Sequence, residues 1–108
     1  MALIRCPYLD AHVELSETRE LHIAESHPDL LPEHLERLAE VVAEPEVVRR
    51  STRFAGAWLF SRWYDAIRDG KHVVVVIVSE PPPADRHWVI TAYLARRLSG
   101  GEVTWKRG

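Results

Sequence analysis

The stretch Arg86–Leu94 reads Arg-His-Trp-Val-Ile-Thr-Ala-Tyr-Leu. Strict alternation along a strand places His87, Val89, Thr91 and Tyr93 on one face and Trp88, Ile90, Ala92 and Leu94 on the other. The second set is wholly apolar and is expected to pack on a core. The first set lines up an imidazole, a hydroxyl and a phenol, a row that a core strand does not need. Such groups can donate, accept or relay a proton.

Six histidines in 108 residues widen the choice of acid/base groups. His22 sits between Leu21 and Ile23 in a helical stretch, so it is either a core histidine bonded to a carbonyl or a general acid/base. His27 precedes Pro28, and a helix stop explains the proline but not the choice of histidine. No two histidines have the i, i+4 spacing of a helical zinc site and there is no second cysteine, so no metal site and no cofactor is expected. Arg62 alternates with Phe60 and Tyr64, where its charge needs water, a carboxylate or a phosphate. Arg49, Arg50, Arg53 and Arg86 add positive charge that can follow a nucleic-acid backbone, and four Trp and three Tyr offer stacking surfaces. No glycine-rich phosphate loop is present, and Cys6 has no evident base beside it.

Composition bounds the protein to one globular domain, 46% hydrophobic and 28% charged. The lone Cys6 permits no internal disulfide, which fits a reducing cytoplasm. The apolar run Val73–Val78 is too short to span a bilayer, and no signal-peptide core is seen. The net charge of −2 is unevenly spread. Residues 1–44 hold three Arg against ten Asp and Glu, and residues 45–108 hold eleven Lys and Arg against six. Either the second half carries an anion-binding surface, or the two halves attract each other within the fold.

Periodicity supplies the elements that position these groups. Met1–Asp10 reads as an irregular lead-in broken by Pro7, and Ala11–Leu15 as a short strand or extended segment. Ser16–Ser26 is expected to be a helix capped by Ser16. Asp29–Glu44 is expected to be a second, with Leu35, Leu38, Ala39 and Val42 as its stripe and Pro45 as its stop. From Glu46 the period changes to two. Strands are expected over Glu46–Phe54, Ala57–Asp65, Lys71–Ser79, Arg86–Arg97 and Glu102–Lys106, with Asp69-Gly70 as a hairpin turn and Glu80–Asp85 as a proline-rich loop. The order predicts an α+β protein: two N-terminal helices packed on one face of a four- to five-stranded antiparallel meander sheet.

Two short motifs in this order, Leu21-His22-Ile23 with His27-Pro28 and then Ile90-Thr91-Ala92-Tyr93, give the chain a resemblance. From about Val13 to Trp105 it resembles the phage and mobile-element branch of the barnase–EndoU–RelE-like nuclease superfamily. The resemblance implies a metal-independent endoribonuclease, toxin-like, with RNA as substrate and a cognate inhibitor or antitoxin as a further partner. It implies His22 as acid/base, Arg62 as phosphate ligand and Thr91 and Tyr93 in the active-site row. His27, Arg49, Arg53, Arg86 and His87 are the expected substrate-binding residues. Such an enzyme lets the RNA 2′-OH attack the phosphate, a base taking its proton and an acid protonating the 5′ leaving oxygen. Ser26 stands where a basic residue often precedes the second histidine of the motif. The competing expectations are a non-catalytic protein- or nucleic-acid-binding module and a metal-dependent hydrolase built on the histidines.

Overall fold

The computed structural model describes residues 1–108. Its elements run β1 (Ala2–Cys6), a single 3-10 turn (Pro7–Leu9), β2 (Ala11–Leu15), α1 (Glu17–Ser26), α2 (Leu35–Ala43), β3 (Val47–Arg50), β4 (Ala57–Tyr64), β5 (Lys71–Glu80), β6 (Arg86–Ala95) and β7 (Glu102–Lys106). All seven strands join one mixed sheet in the order β1-β2-β6-β5-β4-β3-β7.

The α+β class stands, but the expected architecture does not. Two strands precede the helices, and the sheet has seven strands rather than four or five. It is not a meander: β2 lies parallel to β6, and β7 returns across the sheet to pair with β3 instead of β6. The lead-in Met1–Asp10 is not irregular. Its residues 2–6 form β1, because Ile4 and Cys6 alternate inward, and Pro7 falls in the turn that follows. Asp10, in the left-handed region at φ 51, closes that turn into an antiparallel hairpin with β2.

Local chemistry accounts for the helices. The Ser16 side chain accepts a hydrogen bond from the Arg19 backbone N–H at 3.1 Å, and Glu17 and Glu20 lie in the first turn, where the helix dipole favours carboxylates. α2 is shorter than its periodicity predicts, because Asp29–His34 form turns rather than helix. It buries Leu38, Val41 and Val42.

Register sorts the sheet into two faces. Val48, Phe60, Val75 and Ala92 lie in one row across β3, β4, β5 and β6, and all are fully buried in the core beneath the helices. Burying an aromatic ring such as Phe60 contributes roughly 1.5–3 kcal/mol. The β1–β2 hairpin curls over this same face. Tyr8 reaches Thr104 on β7 with a 2.9 Å hydrogen bond and packs edge-on against Trp58 and Phe60 on β4. The opposite face carries no helix.

One irregularity redirects β6. Ile77 pairs with Val89 and Val76 with Thr91, so Ile90 is an extra residue at a β-bulge. The predicted alternation breaks there. His87 and Val89 share the helical face with Ala92 and Leu94, whereas Thr91 and Tyr93 point to the open face.

Candidate functional site

The open face is crossed by the link between β6 and β7. Because β7 pairs with β3 on the far side of β4 and β5, residues 96–101 run over the sheet as a strap. Gly101 lets the strap lie flat. At its φ of +73 a Cβ would come within 2.9 Å of the Arg50 carbonyl oxygen and 3.3 Å of Leu59 Cδ1.

Arg49 holds the strap down. It stands in one row with Leu59, Val76 and Thr91, and its Nη1 donates to the carbonyls of Ser99 and Gly100 at 2.6 and 2.8 Å. The side chain is only 3% exposed, has no carboxylate partner, and its Nε is buried without an acceptor. Burial pushes its pKa below the ordinary value, opposed by the charge an ionised Tyr93 would carry. Burial presses the His72 imidazole downward, opposed by the Glu46 carboxylate and aided to a smaller extent by the Arg49 guanidinium.

Between the strap, the sheet and the β3–β4 loop lies a cleft of about 610 Å³. Thr91 and Tyr93 form part of its floor, Ser99–Gly101 one wall, and Ser51–Phe54 the other. This volume falls in the range of small-ligand sites, roughly 300–1,000 Å³. The lining mixes hydroxyls, one guanidinium from Arg53, and the apolar side chains of Leu59, Val76 and Ile90.

α1 brings an imidazole up to Tyr93, although His27 does not itself line the cleft. β2 pairs with β6 only at Glu14 and Trp88, so the outer side of β6 beyond Trp88 has no strand beside it, and α1 packs there. His27 is the residue that closes α1, its N–H bonded to the Ile23 carbonyl at 2.7 Å. Its ring lies 6.2 Å from the Tyr93 ring, tilted by 40°. The two rings make no direct hydrogen bond.

Of the residues singled out from sequence, Arg53, Thr91 and Tyr93 line the cleft, while His27 stands against Tyr93 and Arg49 lies under the strap, neither of them in the lining. Arg50 pairs instead with Glu102, and four more lie elsewhere. His22 is exposed on α1, outside the walls of the cleft. Arg62 shares a row with Val73 and Leu94 on the helical face, where its Nη1 bonds the Glu44 carbonyl at 2.8 Å and its Nε lies 3.8 Å from Glu40. It closes the end of α2 rather than facing Thr91. Arg86 is a two-pronged partner of Glu14, at 3.1 and 2.9 Å, and stacks on Trp88. That bond holds the Glu14 carboxyl below its usual range. His87 lies on the helical face with Nδ1 2.6 Å from Ser79 Oγ.

Other chemistry finds little support. Cys6 is buried, and burial raises its thiol pKa. No three His, Cys, Asp or Glu side chains are grouped to hold a metal ion. No helix is long and apolar enough to cross a membrane. The cleft-lining residues that the sequence did not single out are Ser51, Thr52, Phe54, the strap and the apolar Ala57, Leu59 and Val76. The Ser99-Gly100-Gly101 triplet signals a turn in the sequence, and only the sheet order makes it a crossing. Comparisons with protein-family models, curated proteins and solved structures find no match to this chain.

Proposed function

We propose that the chain is an RNA-binding, metal-independent endoribonuclease, toxin-like in its chemistry, whose active site is the cleft on the open face of the sheet. The observation that carries this reading is the His27–Tyr93 pair, whose rings lie 6.2 Å apart with Tyr93 lining the cleft. RNA brings its own nucleophile, so the protein needs only a base, an acid and positive charge. An imidazole serves near neutral pH as either acid or base, and a phenol donates more readily than it accepts. His27 takes the proton of the 2′-OH as that oxygen bonds to phosphorus. Tyr93 gives its proton to the departing 5′ oxygen on the other side of the phosphate. Thr91, beside them, orients a phosphate oxygen.

Positive charge comes from two places. Arg53 in the cleft wall meets the backbone, and the buried, unneutralised Arg49 makes the site attractive to anions. Arg62 and His22, which the family resemblance assigns to the site, have no part in this scheme.

The test is incubation of purified protein with single-stranded and structured RNA in EDTA, with end-group analysis of the products. Cleavage yielding 2′,3′-cyclic phosphate and 5′-hydroxyl ends, lost in Tyr93→Phe, is the expected result. RNA that is bound but never cut would place the chain among non-catalytic nucleic-acid-binding modules instead.

A further inference from the structure

We propose that Phe54 is a nucleobase-stacking subsite, so that the cleft takes single-stranded RNA with one unpaired base laid against this ring. The proposal rests on the reading of the open-face cleft as an RNA site and names the form of RNA that fits it.

Phe54 is 69% exposed and belongs to the cleft wall. Two other exposed aromatic side chains already have partners. Trp63 packs edge-on against His72 and bonds Asp65 through its indole N–H, and Trp105 is flanked by Tyr8 and Arg107. Phe54 makes no aromatic or cation–π contact.

Its exposure is not that of a floppy loop. The Ser51 hydroxyl accepts from the backbone N–H groups of Arg53 and Phe54 at 3.1 and 3.2 Å. The Phe54 carbonyl accepts from Ala57, and the Ser51 N–H donates to the Ala57 carbonyl at 2.9 Å. Gly56, at φ +78, sits so close to the Ser79 carbonyl that a Cβ would lie 2.8 Å from its oxygen. A fixed turn thus presents an apolar ring to water beside the Arg53 cation. An aromatic face next to a cation in an open groove is the combination that binds single strands, because every base has a π-face and every nucleotide a phosphate. A paired base offers no free face, so duplex RNA gains nothing from Phe54.

The experiment measures binding in EDTA by fluorescence anisotropy, using a labelled single-stranded oligoribonucleotide and an abasic ribose-phosphate chain of equal length. Phe54→Ala is expected to weaken RNA binding by about ten-fold or more, the effect of losing one stacked base. Binding of the abasic chain is expected to stay unchanged, and Phe54→Trp to restore RNA binding. If Phe54→Ala binds RNA as the wild type does, or loses the abasic chain equally, the stacking subsite is overturned while the RNA site stands. A wild-type protein that binds neither ligand overturns the RNA site and the subsite together.

Discussion

Arg49 is difficult to account for by folding alone. It is almost fully buried, it has no carboxylate partner, and it leaves Nε without an acceptor. Removing an ion from water costs several kcal/mol even after relaxation, and two carbonyl acceptors offset part of that cost. An apolar side chain of similar length removes that cost, against the loss of the two strap hydrogen bonds that Arg49 makes. Its charge, shielded from direct contact, still adds to the positive potential of the cleft next to it. Arg49→Met is therefore expected to keep the thermal midpoint equal to or above that of the wild type, while RNA affinity falls by about ten-fold or more. A large drop in thermal midpoint with unchanged RNA affinity would reduce Arg49 to a strut for the strap.

At the scale of elements, the strap and the bulge build the cleft. Gly101 and Gly100 both have positive φ, at +73 and +78, but an added Cβ meets nothing at Gly100 and meets the Arg50 backbone at Gly101. Alanine at position 101 is expected to destabilise by about 1–3 kcal/mol in urea denaturation, and alanine at 100 by clearly less. Equal effects would mean that the strap is not seated on the sheet. Several elements were legible in the sequence from local chemistry. Ser16 marks the start of α1, the Val73–Val78 run marks β5, and the strand at Glu102–Lys106 has the predicted bounds. The rest depends on partners far away in sequence. Alternation predicts His87 beside Thr91 and Tyr93, but the bulge at Ile90 is set by pairing with β5 and turns His87 to the other face. β1 was hidden by its brevity and by Pro7, and nothing local tells β7 to seek β3. The candidate site was half legible: residue types pointed to Thr91, Tyr93 and His27, but only register separates Arg62 from them.

Over the whole molecule, part of the uneven charge is accounted for by attraction between the two halves. Some cations of the second half pair with the acidic first half, as Arg86 with Glu14 and Arg62 with Glu40. Arg53, Arg96 and Arg97 join no ion pair and are exposed, the first in the cleft wall and the others where the strap begins. RNA affinity should fall with added salt. Each phosphate-contacting cation removed should reduce the slope of log affinity against log salt by about 0.7 for a single strand. Arg53→Gln is expected to show that reduction, and Arg62→Gln, on the helical face, to leave the slope unaltered. The opposite pattern would move the RNA surface to the helical side.

In the function proposed, catalysis belongs to the open face, with His27 rather than His22 as the imidazole. The most direct measurement is the RNA cleavage rate in EDTA of His27→Gln and His22→Gln, both checked for wild-type folding. Loss of a general acid/base typically slows such a step by about 10²–10⁴-fold. That loss is expected for His27→Gln, with His22→Gln close to the wild type. Full activity in His27→Gln, or the loss falling on His22→Gln, would contradict that assignment.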